Sequence, residues 1–176
     1  MTEPRTQIVV RAATKYGVIQ GVLASLIFFV QARAGAGTAQ NRLVTVVNLV
    51  LIIVLIVLAQ REIKKNRNGA MSYVQGLGSG TLLGAVGAVI RAVLMFIYVQ
   101  YINTGYLAGL LQAQRAALAQ RGITGSQAQM AMGITASLTT PVGIVITALI
   151  GGVVTGFIVA LIVSLFTQSE GRMVVT

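Results

Sequence analysis

Residues 73–101 read YVQGLGSGTLLGAVGAVIRAVLMFIYVQY. The run is apolar and long enough to cross a bilayer, which takes about 20 helical residues. Gly76, Gly80, Gly84, Ala88 and Ala92 recur at every fourth position. Such a stripe of small residues lets a second helix approach closely. One full charge, Arg91, interrupts the run. It stands seven residues after Gly84, and at about 100° per residue it returns to within about 20° of the glycine face. Arg91 is therefore expected to point into a helix interface and not into lipid.

Downstream, residues 141–166 form a second spanning run with a matching stripe: Ala148, Gly152, Gly156, Ala160 and Ser164. Thr140-Pro141 opens it, a threonine N-cap followed by proline at the first helical position. The two stripes predict that these spans pack along Gly80/Gly84 and Gly152/Gly156. Residues 104–138 lie between them. Over 104–121, Leu107, Leu110, Leu111 and Leu118 share one side of a helix. Gly122 marks its end, Gly125-Ser126 a turn and an N-cap, and 127–138 a second short helix rich in Met and Ala. The pair reads as a helical hairpin on the periplasmic surface. Tyr98 and Tyr101 are expected at the outer interface, where aromatic belts form.

Upstream, residues 43–59 are bulky aliphatics all round, with Asn48 the one strongly polar member. Such a helix faces lipid on several sides, so Leu55→Ala is expected to do little. Residues 60–69, QREIKKNRNG, carry four basic side chains and one acid. A short basic loop marks the cytoplasmic side. The first span, 16–31, has its own small stripe, Gly17, Gly21 and Ser25, and one polar residue, Gln20, expected to bond neighbouring backbone. Residues 1–15 are basic, with no Ala-x-Ala site closing the apolar run, and read as a retained anchor. Residues 32–42 read as a loop with two glycines, and 167–176 as a disordered polar tail.

Composition agrees with a membrane chain. Of 176 residues, 56% are hydrophobic and only 9% charged, against about 25% charged in soluble domains. The net charge of +10 reflects basic residues at the ends of apolar segments, a topology signal and not a nucleic-acid footprint. With both termini and the 60–69 loop on one side, that side carries Arg5, Arg11, Lys15, Arg61, Lys64, Lys65, Arg67 and Arg172. The other carries Arg33, Arg42, Arg115 and Arg121. The bias of eight to four places both termini in the cytoplasm. The fold class expected is all-α: an integral membrane four-helix bundle, one domain over 1–176, with a short periplasmic hairpin between the third and fourth spans.

Three pieces carry a resemblance: Tyr16-Gly17 opening the first span, Asn68-Gly69-Ala70-Met71-Ser72-Tyr73-Val74-Gln75-Gly76 leading into the third, and the outer segment 110–140 entering a fourth span that ends GFIVALIVSLF. In this order they resemble a bacterial four-helix inner-membrane family of unknown function, common in Bacteroidetes. The resemblance implies the bundle and the inner membrane, and no activity. The family's outer segment is typically rich in Glu and Lys; here Gln and Ala replace most of that charge.

Available chemistry is narrow. No Cys and no His are present, and the only acids are Glu3, Glu62 and Glu170. Thiol and imidazole catalysis, paired carboxylates and a metal cluster are thereby excluded, and no catalytic residue, cofactor site or metal ligand is assigned. The expectation is a non-enzyme: a structural or accessory subunit docking helices through glycine-rich faces at Gly76, Gly80, Gly84, Gly152 and Gly156. Its partners are the lipid bilayer and other membrane subunits or a homo-oligomer, with no nucleic acid. The alternative is a small transporter or channel-like protein in which Arg91 contacts an anion. Against that alternative, no span shows a polar stripe. An arginine in a span needs acceptors, and Asn48, Thr147 or a backbone carbonyl of another span are the expected ones.

Overall fold

A computed structural model describes residues 5–33, 42–67 and 69–168. Most of the expected 32–42 loop and nearly all of the expected polar tail lie outside the described residues. Among the described residues, six α-helices follow one another: α1 (Arg5–Arg33), α2 (Arg42–Lys65), α3 (Tyr73–Ile97), α4 (Tyr106–Gln120), α5 (Gly125–Leu138) and α6 (Pro141–Thr167). A π-helical turn, Tyr98–Ile102, continues α3. Four segments are long and apolar enough to cross a membrane: Thr6–Arg33, Leu43–Lys65, Tyr73–Ile102 and Pro141–Thr167. Large apolar side chains cover the outside of this bundle, among them Leu43 (75% exposed) and Phe166 (84%). Water would penalise that surface; hydrocarbon does not. The fold is an all-α membrane bundle.

Local chemistry sets the helix starts. At α3 the Ser72 hydroxyl accepts from the Gln75 backbone N–H at 3.4 Å, and Gln75 Oε1 accepts from the Ser72 N–H at 3.2 Å. This reciprocal box satisfies two donors that a helix start leaves open. At α6 the Thr140 hydroxyl accepts from the Gly143 N–H at 2.9 Å, with Pro141 first in the helix. Gly122 closes α4 at φ +72°, a left-handed conformation that glycine adopts without strain. The cap of α5 is Thr124, with Gly125 and not Ser126 next to it.

α3 is the axis, packed most extensively on α6 and then on α1. Along the α3–α6 seam, an added Cβ at Gly76 would meet Ser164 Oγ at 2.7 Å, at Gly80 the Ala160 Cβ at 2.5 Å, and at Gly84 the Gly156 Cα at 2.7 Å. At Gly152 it would meet Ala88. Each four-residue step along α3 is thus matched by a four-residue step back along α6, as an antiparallel pair requires. On the other side of α3, Gly17 lies against the Leu83 carbonyl and Gly21 against the Gly87 carbonyl, where an added Cβ would come to 2.8 and 2.7 Å.

Two helices run further into polar sequence than the apolar runs suggest. α1 begins at Arg5 and α2 continues to Lys65. The reason is packing: Ala12, Ile63 and Met71 form a small buried cluster beyond the main core. That core joins Ala13, Ile52, Leu55, Ile56, Ala59 and Leu83 to Val159, Ala160 and Val163. Leu55 is only 6% exposed, so the expectation that it faces lipid is corrected. α2 has apolar residues on every side, and pattern alone does not say which of them meet the bundle. Tyr98 is likewise not a belt residue. It is 4% exposed and sits within 6 Å, centroid to centroid, of Phe28, Phe29 and Tyr106, while Tyr101 is 76% exposed.

A cavity around Arg91

The main core holds α2 and α6 together over Ile52–Ala59 and Val159–Val163. Toward the α4–α5 end the two helices do not close. Among the described residues, nothing in α2 before Ile52 and nothing in α6 before Gly156 is buried. A cavity of about 590 Å³ fills the space between them. Its floor on α3 is small, Gly84, Gly87 and Ala88, with Arg91 and Met95 above. α2 contributes Thr45, Asn48, Leu49 and Ile52. From α6 come Ile144, Thr147, Ala148, Gly151, Gly152 and Thr155. Gln20 of α1, Leu110 of α4 and the Leu138-Thr139 end of α5 complete the lining.

Arg91, Asn48 and Thr147 therefore share one cavity, without bonding one another. The Asn48 amide donates to the Val44 carbonyl of its own helix at 3.0 Å, and its Oδ1 is buried and unpartnered. The Thr147 hydroxyl donates to the Gly143 carbonyl at 2.8 Å. Arg91 Nε is buried and has no hydrogen-bond partner. Among the described residues, the expected bond from Arg91 to Asn48, Thr147 or a backbone carbonyl of another span is not made. Both side chains spend a donor on their own helix one turn back; the Asn48 Oδ1 and the Thr147 hydroxyl oxygen keep their capacity to accept, and Arg91 bonds neither. Among the described residues, no acid lines the cavity. The described acid, Glu62, is held at the far end of the bundle, accepting from Lys15 Nζ at 2.8 Å and from the Tyr16 hydroxyl at 2.9 Å. Glu3 and Glu170 lie outside the described residues.

Met95, a lining residue, packs against a cluster in which the rings of Phe28, Phe29, Tyr98 and Tyr106 meet one another. Burial pushes the Tyr106 phenol above its ordinary pKa; the neighbouring Tyr98 adds to this and the Arg91 charge opposes it.

Gln20, Thr45 and Thr155 also line the cavity, beyond the site residues expected from the sequence. Their signal is weak: Thr45 and Asn48 are three apart and Thr147 and Thr155 eight apart, each pair on one helix face. No single span carries a polar stripe; the polar lining is assembled from four helices. A second unread feature is Gln60, fully buried at the opposite end. Its Nε2 donates to the Gly76 carbonyl at 3.1 Å and to Ser164 Oγ at 3.0 Å, and its Oε1 accepts from Thr167 Oγ1. One side chain thereby ties α2 to both α3 and α6.

Chemically, the cavity offers one guanidinium with a free donor, a few hydroxyl and amide groups, and apolar walls. A guanidinium suits carboxylate or phosphate oxygens through paired donors. Comparison with known proteins adds a family and no activity. The family model described as "Protein of unknown function (DUF4199)" matches residues 15–169. The chain matches no curated protein and no solved structure.

Proposed function

We propose that this chain, which belongs to the DUF4199 family of proteins of unknown function, binds an anion against Arg91 within its membrane-spanning bundle. The observation that carries the reading is the buried, unpartnered Arg91 Nε in a cavity that no acid lines among the described residues. An unneutralised arginine at span depth costs about 2.5–3.5 kcal/mol on insertion scales. A bound oxyanion offsets that cost. This is the transporter-like reading of the sequence, without enzymatic chemistry. The accessory-subunit reading rests on glycine faces that, in the structure, lie against the chain's own helices; the surface left for other membrane subunits or a second copy is aliphatic.

Two experiments test the proposal. Thermal unfolding of the detergent-purified chain is followed with rising phosphate or sulfate. A ligand at 100 times its Kd raises stability by about 2.7 kcal/mol. Arg91→Leu is expected to fold and to lose that response. Flux in proteoliposomes then separates holding from transport, through anion movement abolished by the same variant. No response of the parent chain to phosphate, sulfate or an anionic lipid would overturn the proposal.

For localisation we propose the bacterial inner membrane with both termini cytoplasmic, on the strength of the eight-to-four basic bias. The α4–α5 hairpin is then periplasmic. Asn66 and Gln120 are both exposed, and the chain has no native cysteine. Single cysteines at these positions are expected to label from opposite sides, 120 from the periplasm. Labelling of residue 66 from the periplasm would refute the orientation.

A further inference from the structure

We infer that the occupant of the cavity is an anionic lipid, its headgroup oxyanion on Arg91 and its acyl chain along the walls, entering sideways between α2 and α6. The inference rests on the reading of Arg91 as an anion site and names the ligand's class and route.

The route comes from where the cavity is open. Thr45 and Leu49 on α2 and Thr147, Gly151 and Thr155 on α6 line it and are also exposed. All five lie within spanning segments, and Thr155 is fourteen residues past Pro141, about 21 Å along a helix rising 1.5 Å per residue. The opening therefore reaches past mid-depth of a core about 30 Å thick and faces hydrocarbon. Lipid, not water, stands at this door.

The end nearer water is roofed differently. Leu110 of α4 and Leu138 of α5 cover it. The cations of the hairpin, Arg115 and Arg121, are exposed and are not part of the lining. An entrance built for an aqueous anion concentrates cationic charge at its mouth; this roof presents two leucines and Thr139, and no cation.

Size and wall chemistry select the rest of the ligand. A volume of about 590 Å³ is worth roughly twenty waters at about 30 Å³ each. A lone phosphate or carboxylate would leave most of it against Leu49, Ile52, Met95 and Ile144. An acyl chain satisfies those walls, and one oxyanion satisfies the one guanidinium.

The test is native mass spectrometry of the full chain in detergent, incubated with dioleoyl phosphatidylglycerol, dioleoyl phosphatidylcholine or inorganic phosphate. The expected result is retention of phosphatidylglycerol over phosphatidylcholine, and loss of that retention by about tenfold or more in Arg91→Leu, the scale of a charged hydrogen bond. Gly151→Leu supplies a second variant. An added Cβ there has nothing within 4 Å, so the larger side chain enters the gap without touching backbone, and retention is expected to fall with the thermal midpoint unchanged. Retention equal in the parent and Arg91→Leu would mean annular lipid only and would overturn the inference. Phosphate stabilising the parent through Arg91 without preferential lipid retention would overturn it while leaving the anion site standing. No response to lipid or phosphate would remove both.

Discussion

Replacing Gly84 and Gly78 by alanine places one methyl group at two points of α3, and the structure assigns opposite signs to the two changes. At Gly84 the new Cβ would lie 2.7 Å from Gly156 Cα and 3.0 Å from the Gly152 carbonyl oxygen. Ordinary contacts begin at 3.4 Å, and both neighbours are backbone, so the seam must part by about 0.7 Å. A gap of about 0.5–1 Å forfeits a quarter to a half of each dispersion contact along it. Overpacking of this kind costs about 1–3 kcal/mol. Alanine returns up to about 1 kcal/mol of helix propensity, leaving a net loss of up to about 2 kcal/mol. At Gly78 nothing lies within 4 Å of the added methyl, so only the propensity gain of up to about 1 kcal/mol remains. The assay is unfolding in mixed micelles by rising SDS fraction, followed by circular dichroism and by protease resistance. Gly84→Ala is expected to unfold earlier than the parent and Gly78→Ala at the same point or later. Midpoints that move together, or a Gly84→Ala more stable than the parent, would refute the argument from close backbone approach.

Gln60→Leu removes the three hydrogen bonds that join α2 to α3 and α6. At about 0.6 kcal/mol for an average side-chain bond in a membrane protein, the loss is about 2 kcal/mol. The Gly76 carbonyl keeps the Ser79 hydroxyl at 2.8 Å, which holds the cost near that figure; an unchanged SDS midpoint would contradict it. Leu55→Ala opens the main core and is expected to cost about 2–5 kcal/mol; a change within error would put Leu55 back in lipid. Lys15→Ala breaks an ion pair whose side chains are 54% and 30% exposed. Its midpoint is expected to match the parent in high salt and to fall only slightly in low salt, since exposed pairs are screened. A large drop at high salt would show the pair to be structural.

The order of the bundle was legible before any coordinates. Runs of about 20 apolar residues have few states open to them in a bilayer, because every backbone N–H and C=O must be satisfied within the segment. The stripes at Gly76–Ala92 and Ala148–Ser164 are likewise plain in the sequence, because glycine spaced by four lies on one helix face. Composition also left the chain without His, Cys or intramembrane carboxylates. Tertiary structure decided what those faces meet. Gly84 lies against Gly156 in one register, while Gly17 and Gly21 lie against α3, a pairing that the stripe by itself does not name. Leu55 and Leu49 look alike in an all-aliphatic helix, and only packing puts the first in the core and the second beside the cavity. The cavity itself has no local signature. Gln20, Thr45, Asn48, Arg91, Thr147 and Thr155 come from four helices, each with too few polar residues to mark a face. Their meeting depends on α2 and α6 touching over one half of their length and diverging over the other. That divergence is a property of how whole helices pack, not of any residue within them.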